Sequence, residues 1–89
     1  MMSAPAALDP TTLATLPRNA RAAVDAVAWA TLTDAETRRL REFGLDDGVE
    51  VELLHSAALG GGPIACRIGR MTITIRGHVA RAIRVTRLP

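Results

Sequence analysis

The sequence lacks lysine and tyrosine, and no acidic residue follows Glu52. Trp29 and Phe43 are its only aromatic residues, so the core must come from valine, isoleucine, leucine and alanine. The single cysteine, Cys66, excludes a disulfide framework within the chain, which is typical of a reducing cytoplasm. No apolar run approaches the roughly 20 residues that a membrane-spanning helix needs, and the N-terminus lacks the features of a signal peptide. We therefore expect a cytoplasmic protein that meets a membrane only through a partner.

Charge is distributed unevenly along the 89 residues. Up to Glu52 the chain has nine acidic residues and five arginines, and after it only six arginines are charged. These six are Arg67, Arg70, Arg76, Arg81, Arg84 and Arg87. Such a basic half is able to meet an acidic protein, a nucleic acid or a phosphate group. The alternative interpretation is that the arginines solvate the outer faces of short strands.

A helix is the clearest element that the sequence predicts. The tetrapeptide from Thr33 to Glu36 has the form of a capping box, in which each of these two side chains accepts the other residue's backbone N–H. Leu40 and Phe43 are three positions apart and are expected to face the core. Gly44 fits the position just after the helix, where φ is positive.

Alternating apolar residues predict five short strands, at 21–29, 49–55, 64–68, 71–76 and 83–86. Val24 and Val27 cannot share one face of a regular strand, so the first strand is expected to contain a bulge. A short turn or single helical turn is expected at 77–80. Strands this short must bury one face against each other, and closure removes exposed edges. The sequence thus predicts an all-β fold with one inserted helix, a small five-stranded SH3-like barrel over 11–89, after a flexible tail at 1–10.

The order of these signals between 12 and 88 carries a resemblance to a known family. An L-x-x-L opening is followed by a helix ending in L-x-x-F-G-L, a turn closing on glycine, a valine-rich strand and a glycine loop ending in P-I. The residues concerned are Leu13, Leu16, Leu40, Phe43, Gly44, Leu45, Gly48, Leu59, Gly60, Pro63 and Ile64. In this order the chain resembles the FeoA family of ferrous-iron-transport accessory proteins.

The resemblance implies a barrel that is not an enzyme and that binds and regulates FeoB, a membrane transporter whose cytosolic part carries a GTP-binding domain. The expected contact surface comprises the glycine loop and two exposed arginines, namely Gly60, Gly61, Gly62, Pro63, Arg67 and Arg76. The alternatives are a regulatory module like the C-terminal domain of metal-dependent repressors and a nucleic-acid-associated barrel. The arginine-rich half has no aromatic platform for stacking bases, which disfavours nucleic acid. Self-association through a barrel edge or the helix end is a further hypothesis.

Candidate metal ligands are His55, Cys66 and His78, with the acidic pair at 46–47, but none has the close spacing of a structural zinc site. Histidines at a strand end and in a turn are commonly plain surface residues, and the cysteine shares the face of two isoleucines, as a core residue does. We expect no resident cofactor, with weak binding of ferrous or another transition-metal ion left open. Ser56 follows His55 directly, and adjacent strand residues point to opposite faces, so no catalytic pair is predicted.

Overall fold

The structure, a computed structural model, describes residues 11–56 and 62–89, and the structural statements below concern these two ranges. The predicted tail at 1–10 lies outside them. The strands are β1 (Arg21–Val27), β2 (Glu50–Ser56), β3 (Ile64–Ile68), β4 (Met71–Ile75) and β5 (Ile83–Arg87). The helices are α1 (Asp34–Glu42) and α2 (Gly77–Arg81), with 3-10 turns at Leu13–Thr15 and Trp29–Thr31.

The strands form one antiparallel sheet in the order β4-β3-β2-β1-β5. The predicted class, mainly β with one helix inserted after the first strand, is confirmed. Among the described residues β4 and β5 are not paired with each other, and the short helix α2 joins these two end strands. No helix in the described ranges is long and apolar enough to cross a membrane.

The first strand contains the predicted bulge. Val24 and Val27 are both buried, and the register between β1 and β5 shifts between Val24 and Ala26. The carboxylate of Asp25, inside the bulge, accepts a hydrogen bond of 2.6 Å from the Thr86 hydroxyl. The strand ends at Val27, two residues earlier than predicted, because the chain then turns into the 3-10 segment that begins at Trp29.

Helix α1 begins with the predicted capping box. The Glu36 N–H donates to Thr33 Oγ1 over 3.1 Å, and the Thr33 N–H donates to Glu36 Oε1 over 2.9 Å. Leu40 is buried and Phe43 is half-buried, and Gly44 adopts a φ of 84° just beyond the helix. The local prediction for this element is therefore confirmed at its start, its core-facing side and its end.

The core is formed by buried side chains of the five strands, of both helices and of the N-terminal segment. Leu13 is fully buried and Leu16 nearly so, and both pack against buried side chains of the strands and α2. Cys66 is likewise buried, as predicted from its position between two isoleucines. Apolar burial of this kind is the main source of stability in so small a domain.

Candidate partner-binding surface

The arginines of the second half all lie on the surface, but they differ in their partners. Arg67 Nη1 contacts Glu52 Oε1 across the β2–β3 ladder at 2.9 Å, and its side chain is 48% exposed. In the described ranges the other five, Arg70, Arg76, Arg81, Arg84 and Arg87, make no ion pair. The guanidinium of Arg67 already pairs with a carboxylate of the same chain, although a surface ion pair contributes little free energy. Arg67 is therefore a weaker contact candidate than the sequence implies.

A cleft lies between α1, the end of β4 and α2, and it encloses about 350 Å³. Its apolar lining comes from Leu40, Phe43, Pro63, Ile75 and Val79. Three charged side chains, Glu36, Arg39 and Arg76, also line it. The structure thus brings two of the predicted contact residues together in one concave surface, Pro63 and Arg76.

The remaining predicted contact residues are placed differently. Gly62 is half-buried and precedes the cleft residue Pro63. Gly60 and Gly61 lie outside the described residues. Arg67 stands on β3 near a shallow depression formed with Glu50 and Glu52 and does not line the cleft. Of the four predicted contact residues that the structure describes, only Pro63 and Arg76 therefore line the same surface.

The cleft has a positive rim because two guanidinium groups, those of Arg39 and Arg76, face a single carboxylate, which is already hydrogen-bonded. Glu36 accepts the Thr33 N–H and lies 2.6 Å from His78 Nε2. The Thr33 N–H, followed by His78, lowers the pKa of Glu36 below its ordinary value. Arg39 instead lies over the Phe43 ring, 5.8 Å from its centroid, and has no carboxylate partner in the described ranges.

The candidate metal ligands do not come together. His55 is exposed on β2, whereas His78 on α2 is paired with Glu36. Burial raises the pKa of the Cys66 thiol to about 11, which keeps it protonated and a poor ligand at neutral pH. In residues 11–56 and 62–89 there is no group of three or more His, Cys, Asp or Glu side chains able to hold a metal ion.

Sequence reasoning did not find the cleft. The sequence shows the two sides of the cleft only separately, as an apolar pair on the helix and as an alternating strand. The helix and β4 are separated by a long stretch of chain, so no local pattern indicates that they meet. The contact between Glu36 and His78 was missed for the same reason. It joins residues 42 positions apart, so no local pattern could indicate it.

Residues 11–87 match the family model described as the FeoA domain. The chain is similar to the solution structure of a FeoA protein from Chlorobium tepidum, with 33% identity and a TM-score of 0.76 over 89% of this chain and 71% of that one. It is also similar to Stenotrophomonas maltophilia FeoA complexed with zinc, described as a prokaryotic SH3 domain protein, with 33% identity and a TM-score of 0.72 over 85% of this chain and 89% of that one. No curated protein sequence matches the chain.

A manganese-dependent transcriptional repressor shares the fold. The TM-score is 0.76 at 20% identity, over 90% of this chain and 44% of the repressor. At this identity the likeness concerns the fold alone. It agrees with the expectation that such repressors carry a domain of the same kind.

Proposed function

Because the chain belongs to the FeoA family, as its match over residues 11–87 shows, we propose that it is an accessory protein of ferrous iron transport that binds and regulates FeoB through the cytosolic region of that transporter. For the similar protein from Stenotrophomonas maltophilia, a role as a ferrous iron transport activating factor has been suggested. The proposal makes this chain a cytoplasmic binding protein without catalytic activity of its own. It includes no step through a bound metal, since His55, Cys66 and His78 form no common donor set.

The family match carries this proposal, and the charge distribution supports it. Five arginines of the second half have no acidic partner in the described ranges, so their positive potential is available to a binding partner. Unmatched surface charge of one sign mainly raises the rate of encounter with a partner of the opposite sign and fixes its orientation. An acidic patch on the cytosolic region of FeoB is therefore the expected counterpart.

The test is a binding titration between the purified full chain and the cytosolic region of FeoB from the same organism. We expect saturable binding at about 50 mM salt that weakens at about 300 mM, because salt screens exposed charges. An unrelated acidic protein of matched net charge serves as the control for unspecific attraction. Absence of binding at low salt, with both proteins folded, would refute the proposal.

The fold shared with the repressor favours one second candidate, a regulatory module associated with nucleic acid. Such a module would bind duplex DNA with an affinity that falls steeply as salt rises. The described residues offer little for base stacking, since Trp29 is already covered by the Arg41 guanidinium at 4.3 Å. If the chain binds duplex DNA with an affinity that falls steeply as salt rises, and does not bind FeoB, this second function is the correct one.

A further inference from the structure

The outer edge of β4 offers free backbone groups. A two-residue turn at Gly69 and Arg70 joins β3 to β4, and the pairing of Ile68 with Met71 closes it. In a hairpin of this type the closing pair is hydrogen-bonded and the pairs then alternate. The N–H and C=O groups of Thr72 and Thr74 therefore point away from β3, and no described residue pairs with them.

The composition of β4 does not protect this edge. Its sequence is M-T-I-T-I, without a charge or a proline, whereas edge strands of soluble proteins commonly carry one or the other. Met71 is 41% exposed and is the single exposed large hydrophobic residue of the described ranges. Ile73, on the same face, is half-buried. An added strand would cover both side chains.

The charges at the two ends of β4 indicate what the added strand carries. Arg70 and Arg76 flank the strand, are exposed and have no ion pair in the described ranges. A second copy pairing antiparallel about Ile73 would set Arg70 of each copy against Arg76 of the other. Like charges directly opposite each other destabilise a strand pair, so a segment with carboxylates at these positions fits better.

The cleft adjoins one end of the same edge. Thr74 and Ile75 of β4 line it together with Leu40 of α1 and Phe43 just beyond that helix, and Arg39 adds a further positive charge at its rim. A strand laid along β4 would bring an aliphatic side chain to the position opposite Ile75, beside this apolar lining. Backbone pairing along the edge and one buried side chain are the usual combination in recognition by strand addition.

We propose that the β4 edge and the adjoining cleft bind an extended segment of a partner protein as a sixth strand, with acidic residues opposite Arg70 and Arg76 and an aliphatic residue at the cleft. The proposal deepens the function given above and rests on it for the source of the segment. The surface itself is tested separately with a synthetic probe. The two can therefore fail independently.

The first experiment titrates the nitrogen-labelled full chain with the blocked peptide E-V-T-V-T-V-E, whose glutamates match the spacing of the two arginines. We expect saturable shifts of the Thr72 and Thr74 amide signals, with slower hydrogen exchange at both. The matched peptide K-V-T-V-T-V-K should bind at least about tenfold more weakly, which corresponds to about 1.4 kcal/mol. Equal binding of the two peptides, or shifts confined to other strands, would overturn the proposal.

The second experiment changes the edge itself. Thr74→Pro removes only an N–H that faces away from β3, a position where an edge strand tolerates proline. We expect it to weaken binding of the glutamate peptide by up to about tenfold, as loss of one backbone hydrogen bond predicts. The control Thr74→Val keeps the N–H and should bind like the original chain. Equal peptide affinity of both variants would contradict strand addition.

The third experiment reverses charge and brings in the proposed partner. Arg76→Glu should weaken the binding of both the glutamate peptide and the cytosolic region of FeoB. Arg87→Glu, on β5, should leave the affinity for the peptide nearly unchanged and should weaken FeoB binding less than Arg76→Glu does. If FeoB binding resists Arg76→Glu and Thr74→Pro, the docking mode is wrong and the proposed function stands. If the peptide binds at β4 but FeoB does not bind, the proposed function is wrong and the surface stands. Dimerisation in sedimentation that Thr74→Pro abolishes would assign the edge to a second copy and overturn the proposal.

Discussion

The two end strands of the sheet have equal length and opposite surroundings. The outer edge of β5 is covered by the N-terminal segment, where Val85 N–H donates to the Thr11 carbonyl over 2.9 Å and Thr12 bridges to Arg84. The outer edge of β4 has no such cover among the described residues, and a cleft lies beside it. The covered edge is thus part of the folded core, and the uncovered edge is where a partner can add a strand.

The two ends of the sheet also differ in the interactions that hold the segments beside them in place. At the β5 end the cover is fixed by the fully buried Leu13. At the β4 end α1 and α2 are joined near the surface by the contact between Glu36 and His78, both of which are partly exposed. Apolar burial contributes far more free energy than an exposed polar contact. Substitution of this polar contact should therefore cost less stability than substitution of Leu13.

The largest effect is expected from Leu13→Ala. It leaves a cavity under the cover of β5 and should lower the free energy of unfolding by about 2–5 kcal/mol. Met71→Ala, at the uncovered edge, is the matched control and should change it by less than about 0.5 kcal/mol. Denaturant titration measures both. Similar losses of unfolding free energy in the two variants would show that the two ends of the sheet do not differ in their contribution to stability.

A smaller effect is expected from Thr33→Ala at the start of α1. The variant loses the acceptor for the Glu36 N–H and should cost about 1 kcal/mol of stability. Thr33→Ser keeps the hydroxyl and should restore most of it. Chemical denaturation of both variants provides the comparison. No difference between alanine and serine would mean that the cap does not stabilise the helix beside the cleft.

The smallest effect concerns pH at the β4 end. The pKa of Glu36 lies below its ordinary value of 4.5, so its contribution to stability is present above pH 4.5 and lost as pH falls through the lower folded value. His78→Ala should raise the Glu36 pKa only partway, because the Thr33 N–H has the larger effect. Carbon-detected titration of the Glu36 carboxyl measures this. A complete return to the ordinary pKa would show that the histidine is the main cause.

Much of the local structure could be predicted. The capping box at Thr33, the positive φ at Gly44 and the bulge after Val24 each follow from interactions within a few residues. The family could also be predicted, because its motifs occur in a fixed order along the chain. The candidate site could be predicted only in part. Pro63 and Arg76 do share a cleft, but the ion pair of Arg67 depends on strand register that no local pattern gives.

The sequence alone determined the helix, the five strands, the core face of Cys66 and the excess of arginine after Glu52. These depend on residue type and on periodicity over short distances. Only the tertiary structure decided that the N-terminal segment covers β5, while no residue in 11–56 or 62–89 covers β4 beside the helix. The physical reason is that covering an edge requires backbone groups far apart in the chain to meet, and which of them meet depends on how the whole chain packs around its core.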